Sequence, residues 1–197
     1  KTELAALEKE LRAERPLSDL NERVLREIVG QIRPMRALEI AVIIAGALDS
    51  KSSDLTNVQL KTTAALLTAR MPTVLATYHR LRQGLDPIAP RDDLGHSANF
   101  LWMLTGREPN ALESRVCDVA MILHAEHEMN ASTFSALVTA STLSDMYSAT
   151  ASAIGTLKGP LHGGANEAVY KTVEAIGVEA NIPTHVEGML GRGERVM

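Results

Sequence analysis

A histidine flanked by a proline and two glycines is the feature of this sequence best suited to chemistry. Residues 159–167 read Gly-Pro-Leu-His-Gly-Gly-Ala-Asn-Glu, which puts His162 where a helix is predicted to begin. Pro160 lacks a backbone donor and favours helix entry, while Gly163 and Gly164 let a substrate approach the main chain without an intervening Cβ. The positive end of the helix dipole favours a neutral imidazole that donates a hydrogen bond to a carbonyl oxygen. The pattern suits electrophilic catalysis, and a Gly-Pro turn before an ordinary helix is the structural alternative.

Two further segments upstream carry polar residues in a recognisable order. Residues 124–132 read His-Ala-Glu-His-Glu-Met-Asn-Ala-Ser, and residues 98–106 read Ala-Asn-Phe-Leu-Trp-Met-Leu-Thr-Gly. Taken with residues 159–167, and in this order along the chain, they resemble the citrate synthase family. The resemblance extends more weakly over the whole sequence.

The resemblance implies a role for particular residues. In the family, the histidine matching His162 polarises the thioester carbonyl of acetyl-CoA. By the same resemblance His127 binds oxaloacetate and Asn130 supports that pocket. The last three residues, Arg195, Val196 and Met197, correspond to the start of the coenzyme A-binding loop.

The activity implied by the resemblance is condensation of acetyl-CoA with oxaloacetate, followed by thioester hydrolysis to citrate and coenzyme A. No permanently bound cofactor is expected, because acetyl-CoA is a substrate that carries its own acyl group. The resemblance also implies a homodimer. Three alternatives remain: a 2-methylcitrate synthase acting on propionyl-CoA, a citrate-cleaving lyase, and a non-catalytic helical module that dimerises or binds a dicarboxylate.

Both ends of the sequence suggest an internal fragment. Leu4, Leu7 and Leu11 recur at helical spacing directly after a first residue that is not methionine. At the other end, residues 194–197 read Glu-Arg-Val-Met, and in the family such a segment continues into a loop with a second catalytic histidine and later the catalytic aspartate. We therefore expect a parent chain about twice as long, and an inactive fragment.

Composition excludes several classes of protein. The net charge of −4 and the scattered arginines provide no basic surface for nucleic acid. No apolar run approaches the roughly 20 residues that a membrane span needs. A single cysteine, Cys117, rules out an internal disulfide and is predicted to be a buried structural thiol in a reducing compartment. We expect a cytoplasmic protein, with the mitochondrial matrix as the alternative.

A metal site is not predicted from the His124–Glu128 cluster. Zinc proteases place two histidines four residues apart on one helix face, whereas His124 and His127 are three apart and lack an evident third ligand. Among the other histidines, His96 is assigned as a helix cap, and His79 and His185 as surface or interior residues.

The elements that must position these residues are all helical. With 197 residues, of which 45% are hydrophobic, the chain is predicted to form one all-α domain over 1–197, part of the large domain of the citrate synthase fold. Helices are predicted at 1–13, 19–31, 35–48, 57–81, 96–105, 110–126, 131–157, 162–178 and 184–192. Pro72 should kink or divide the fourth helix. The helix at 131–157 is apolar on several faces and is predicted to be buried at the dimer interface.

Overall fold

The computed structural model describes residues 2–126 and 128–196, with the backbone alone for Thr2. No residue within these ranges lies in a β-strand, so the predicted all-α fold is confirmed. The helices are α1 Thr2–Ala13, α2 Asp19–Ile28, α3 Pro34–Leu48, α4 Asn57–Arg82, α5 His96–Thr105, α6 Ala111–His124, α7 Ala131–Ser141, α8 Met146–Leu157, α9 Ala165–Ile176 and α10 Ile182–Gly191, with a 3₁₀ turn at Glu179–Asn181.

Local side-chain signals set where several helices begin. Ser18 and Thr56 accept hydrogen bonds from the backbone N–H groups at the starts of α2 and α4, and Pro34 occupies the first position of α3. At α6, Asn110 and Glu113 form a reciprocal capping box. Each of these helices starts within one residue of its predicted position.

Helix α4 continues through Pro72. Of the two predicted effects of this proline, a kink or a division, division is excluded, because α4 runs unbroken from Asn57 to Arg82. A proline in a helix interior costs about 3 kcal/mol. Residues on both sides of it, including Leu67, Val74 and Tyr78, are buried, and each buried large apolar side chain contributes about 1.5–3 kcal/mol. Burial of the two halves against one core therefore outweighs the local defect.

The main hydrophobic core joins α2, α3, α4 and α8. The buried members include Leu25 of α2, Val42 of α3, Tyr78 of α4, and Tyr147 with Ile154 of α8. Small residues allow these helices to approach closely, because a Cβ on Gly46 would lie 2.7 Å from the Cβ of Tyr147. The two buried tyrosine hydroxyls have acceptors: Tyr78 donates to the carbonyl oxygen of Ile32 at 2.6 Å, and Tyr147 donates to Asp49 Oδ2 at 2.8 Å.

The predicted single helix at 131–157 is wrong, since the segment forms α7 and α8. Helix α7 stops at Ser141, and Leu143 then adopts a left-handed conformation with φ of 62°. Asp145 restarts the chain as α8 by accepting hydrogen bonds from the backbone N–H and the hydroxyl of Ser148, both at 2.8 Å. The apolar pattern is continuous across the break. Periodicity alone therefore does not reveal that local polar residues end one helix and begin the next.

Within this chain α8 is buried and α7 is not, and the predicted burial at a dimer interface stays a prediction. Tyr147 and Ile154 of α8 are buried, whereas no residue of α7 is. Phe134 is 61% exposed, and Leu137 and Val138 are also about half exposed. The apolar face of α7 is thus left uncovered within this chain.

The chain divides into two compact units, one ending at Gly155 and the other beginning at Thr156. The first unit contains α1–α7 and most of α8, and the second contains α9, the 3₁₀ turn and α10. Across the part of the chain that the structure describes, no helix is long and apolar enough to cross a membrane.

Candidate active site

The segment containing His162 is a closed turn between α8 and α9. The His162 backbone N–H donates to the Gly159 carbonyl oxygen at 3.0 Å, and the His162 carbonyl oxygen accepts from Ala165 N at 2.9 Å. Helix α9 starts at Ala165, so the prediction that the helix begins at His162 is wrong by three residues. The half-buried histidine therefore belongs to the turn that leads into the helix.

Gly163 and Gly164 are required by the packing of this turn. A Cβ on Gly163 would lie 2.5 Å from Leu157 Cδ1 and 2.6 Å from the Leu157 carbonyl oxygen. A Cβ on Gly164 would lie 2.8 Å from the Gly159 carbonyl oxygen, to which the Gly164 N–H also donates at 3.1 Å. The sequence predicts that these glycines let a substrate approach the main chain. The structure gives them a second role, because the main chain folds onto itself here and leaves no room for a side chain.

The other histidine-bearing segment connects α6 to α7. Helix α6 ends at His124, whose Nδ1 lies 2.7 Å from the Ala120 carbonyl oxygen. His127 lies outside the described residues, and its predicted role stays a prediction. Glu128 has a positive φ of 56°, which is uncommon for a residue other than glycine and marks a sharp change of direction before Asn130.

Asn130 is the N-cap of α7. Its Oδ1 accepts hydrogen bonds from Thr133 N at 2.9 Å and from the Ser132 hydroxyl at 2.7 Å. Within the described ranges no protein group accepts from its side-chain Nδ2, and the residue is half-buried. One end of this amide therefore fixes the helix start, and the other is available to a ligand. The resemblance predicts only a pocket role for Asn130, and its role as the N-cap was not predicted.

The residues at the C-terminal end are exposed. Arg195 and Val196 follow α10 and lie at the surface, while Met197 falls outside the described residues. The preceding residues form a tight end to the helix, in which Glu194 N donates to the Met189 carbonyl oxygen at 2.9 Å. The Arg192 guanidinium, 2.7 Å from Glu194 Oε1, lowers the pKa of that carboxyl group.

The segment containing α5 is held by buried polar side chains. Arg15, which is only 2% exposed, donates to the carbonyl oxygens of Arg91 and Leu94 at 2.5 and 3.0 Å. Asn99, buried in α5, accepts from Arg91 N at 2.8 Å. His96 is the first residue of α5 and caps nothing, which corrects its assignment, and burial lowers its pKa, with Arg15 adding to the effect. The hydrogen bonds of Arg15 and Asn99 hold this segment against its neighbours.

Cys117 borders an apolar cavity of about 450 Å³ between α5 and α6. The thiol is half-buried, not buried as predicted, and burial raises its pKa. A raised pKa keeps the sulfur protonated and weakly nucleophilic, so this cysteine lacks the properties of a catalytic thiol. The lining residues are Leu101, Thr105, Arg107, Pro109, Leu112, Glu113, Val116 and Cys117.

The candidate residues fall in different units, each of which is described separately. Asn130 lies in the first unit; His162, Arg195 and Val196 lie in the second. In the two described ranges, no group of three or more His, Cys, Asp or Glu side chains is arranged to hold a metal ion.

Comparison with known proteins identifies the family. Residues 1–197 match the family model described as citrate synthase, C-terminal domain. The chain is 45% identical over 195 residues to the citrate synthase of Deinococcus radiodurans, an alignment that covers 99% of this chain and 52% of that protein. It is 40% identical over 195 residues to a 2-methylcitrate synthase of Mycobacterium tuberculosis, covering 99% and 49% respectively. The chain thus spans about half the length of the curated relatives it matches.

Solved structures of citrate synthases share the fold of this chain. The citrate synthase of Pyrobaculum aerophilum superimposes with a TM-score of 0.82 and 45% identity, covering 89% of this chain and 46% of that one. The citrate synthase of Thermoplasma acidophilum, solved as a ternary complex with carboxymethyl coenzyme A and oxaloacetate, gives a TM-score of 0.91 at 27% identity, covering 99% of this chain and 51% of that one. The sequence match over all residues and the shared helical fold lead to one conclusion: this chain belongs to the citrate synthase family.

Proposed function

We propose that the full-length protein carrying this chain condenses acetyl-CoA with oxaloacetate and hydrolyses the thioester to citrate and coenzyme A. The observation that carries the proposal is the family match over residues 1–197, joined with 45% identity to a curated citrate synthase. The reaction needs a donor at the thioester carbonyl, a base at the acetyl methyl group and a second donor at the keto group of oxaloacetate. Coenzyme A enters as part of the substrate, so no resident cofactor is needed. We propose a cytoplasmic location for this enzyme.

His162 is proposed as the donor to the thioester carbonyl. Its turn is closed by backbone hydrogen bonds and by two glycines that admit no Cβ, so the position of the histidine backbone is tightly defined. A fixed donor needs little reorganisation as negative charge develops on the thioester oxygen, which is the basis of electrostatic catalysis.

Asn130 is proposed to contact oxaloacetate together with His127. Its side-chain hydrogen bonds support this role. Oδ1 accepts from Thr133 N and from the Ser132 hydroxyl, and these two bonds orient Nδ2 as a donor. Such a donor suits a carboxylate or keto oxygen of a dicarboxylate. Arg195, Val196 and Met197 are proposed as the start of the coenzyme A site, a role supported by the family resemblance.

Coenzyme A release tests the activity directly. The full-length protein should liberate free thiol from acetyl-CoA only when oxaloacetate is present, and the citrate formed should be equimolar with the thiol. A protein that releases no thiol from acetyl-CoA or propionyl-CoA would contradict the proposal.

The second candidate is 2-methylcitrate synthesis from propionyl-CoA, favoured by the 40% identity to the Mycobacterium tuberculosis enzyme. One extra methylene in an apolar pocket changes binding by about 1–3 kcal/mol, so one enzyme can use both thioesters. The ratio of kcat/KM for propionyl-CoA to that for acetyl-CoA decides which substrate the protein prefers.

We also propose a homodimer. Helices α6 and α7 expose apolar side chains that this chain leaves uncovered, and such surface on a helix favours association. The most exposed are Leu112, Val116, Ile122, Leu123, Phe134 and Val138. Sedimentation of the full-length protein at micromolar concentration should give twice the monomer mass, and a monomer would contradict the proposal.

A further inference from the structure

The apolar cavity between α5 and α6 is bordered by residues of the α6 face that we propose for the homodimer. Leu112 and Val116, two of its lining residues, are 72% and 60% exposed in this chain. Leu123, which is also largely exposed, follows Val116 by seven residues. Spacings of four and seven place all three side chains along one face of the helix. The wall of the cavity and the proposed interface therefore share Leu112 and Val116.

The polar groups that line the cavity are already paired. Arg107 donates from Nη1 to Glu113 Oε2 at 3.0 Å and from Nη2 to Glu113 Oε1 at 2.7 Å. The Arg107 guanidinium, followed by the Asn110 backbone N–H, lowers the pKa of Glu113 to about 2, so the ion pair is intact at neutral pH. The Thr105 hydroxyl donates to the Leu101 carbonyl oxygen at 2.8 Å and accepts from Arg107 N at 3.2 Å. Since the charges balance and the hydroxyl is bonded, the cavity favours an uncharged, apolar occupant.

A second copy of this chain is the occupant that the position of the cavity favours. Two-fold dimers bring the same surface patch of each copy together, so a side chain that fills this cavity also fills the equivalent cavity of the partner. The centre of a stable interface is packed as densely as a protein interior. A cavity of about 450 Å³ that shares two walls with such an interface would interrupt this packing if it stayed open.

We propose that the second copy in the homodimer closes the cavity between α5 and α6 and fills it with apolar side chains, so that Cys117 is covered in the dimer and accessible only in the monomer. The inference rests on the proposed function, in which the enzyme is a homodimer, and it adds a surface by which the two copies meet. Cys117 lies half-buried at the wall of the cavity within one chain, which makes its thiol a reporter of closure.

The first experiment measures how fast N-ethylmaleimide modifies Cys117 in the full-length protein, read by mass spectrometry on the peptide that contains it. Phe134→Asp and Val138→Asp place charges on α7, outside the cavity lining, and should separate the copies. Cys117 in the wild-type dimer should react about tenfold or more slowly than in these monomers, because the partner blocks access to the thiol. Val58→Asp is the matched control: Val58 is exposed on α4, outside the proposed interface, and its variant should stay dimeric and react as slowly as the wild type.

The second experiment measures the dissociation constant of the dimer by sedimentation. Leu101 lines the cavity from α5, and Leu101→Ala enlarges the cavity without changing the exposed face of α6. The dissociation constant should rise about tenfold, because the partner's side chains lose their contact with Leu101 in both copies. Leu104→Ala removes a half-buried leucine of the same helix that does not line the cavity, and it should leave the dissociation constant unchanged.

The two measurements separate this inference from the homodimer itself. A dimer whose Cys117 reacts at the monomer rate overturns the inference and leaves the homodimer standing, as does an equal dissociation constant for Leu101→Ala and Leu104→Ala. Slow reaction in the monomers also overturns it, because the rest of the same chain then covers the cavity. If both α7 variants stay dimeric, the interface lies elsewhere and the inference fails. A wild type that sediments as a monomer contradicts the homodimer and the inference together.

Discussion

The core formed by α3, α4 and α8 and the segments that carry the candidate site residues are built in different ways. In the core, Val42, Tyr78 and Tyr147 are nearly inaccessible to solvent, and apolar contact dominates. Asn130 and His162, in contrast, lie half-buried in connections whose shape is set by backbone hydrogen bonds, a cap and glycines.

The core residues mainly contribute stability, whereas the residues in the connections are the candidates for binding and catalysis. Buried apolar groups contribute to the free energy of folding in proportion to the area they remove from water. A residue in a connection contributes less area and keeps polar atoms accessible to a ligand, which is why binding groups concentrate in such segments. Substitutions in the two regions should therefore produce distinguishable defects.

The largest expected effect comes from His162→Ala. Loss of a positioned donor should reduce the turnover of the full-length enzyme by about 10²–10⁴-fold, with little change in the midpoint of thermal unfolding. His79→Ala, which removes an exposed histidine from α4, is the matched control and should retain activity. Near-normal turnover in a folded His162→Ala protein would contradict the assignment of His162 as the donor to the thioester carbonyl.

Gly46→Ala tests the core, where the expected defect is a loss of stability. The new Cβ would meet Tyr147 Cβ at 2.7 Å and Cγ at 2.8 Å, so α3 and α8 must separate. Gly191→Ala, at the last position of α10, meets nothing within 4 Å and controls for helix propensity. In urea unfolding, the free energy of unfolding of Gly46→Ala should be about 1–3 kcal/mol lower than that of Gly191→Ala, which is the usual cost of overpacking. Equal stability of the two variants would show that the core is not tightly packed here.

Asn130→Ala and Asn110→Ala compare two asparagine caps, only one of which is a candidate ligand. Both variants should lose about 1 kcal/mol of stability, because each loses an N-cap. Asn130→Ala alone should also raise the KM for oxaloacetate about tenfold, since its Nδ2 is the proposed donor. If steady-state kinetics give both variants the same KM, Asn130 is a cap and nothing more.

The smallest expected effect is a pH dependence that belongs to the core. Burial, followed by the hydrogen bond to Asp49, raises the pKa of Tyr147 from 10.0 to about 12. Between pH 10 and pH 12 the Tyr147 phenol is deprotonated in the unfolded chain and protonated in the folded chain. The contribution of this group to the free energy of unfolding is therefore fully present below pH 10 and falls as the pH rises towards 12. Tyr147→Phe should cost about 0.5–1.5 kcal/mol at pH 8 and reduce this slope. An unchanged slope in urea unfolding at pH 10–12 would assign the dependence to other groups.

The sequence determined much of this protein through short-range signals. Ser18, Pro34, Thr56 and Asn110 act on the first turn of their own helices, so the starts of α2, α3, α4 and α6 can be predicted without tertiary information. The family could be identified for a similar reason, because the three motifs are contiguous stretches of residues. The functional roles of His127, His162 and Arg195 follow from that identification and stay predictions.

Tertiary structure alone decided which residues meet. The continuity of α4 through Pro72 and the exposure of α7 depend on whether another helix covers a given face, and periodicity does not carry that information. The same holds for the closeness of Gly46 to Tyr147 and of Ser135 to Ser152, residues that are far apart in the chain. Local signals determine where a helix begins because capping bonds span a few residues, whereas packing depends on shapes brought together only after the chain has folded.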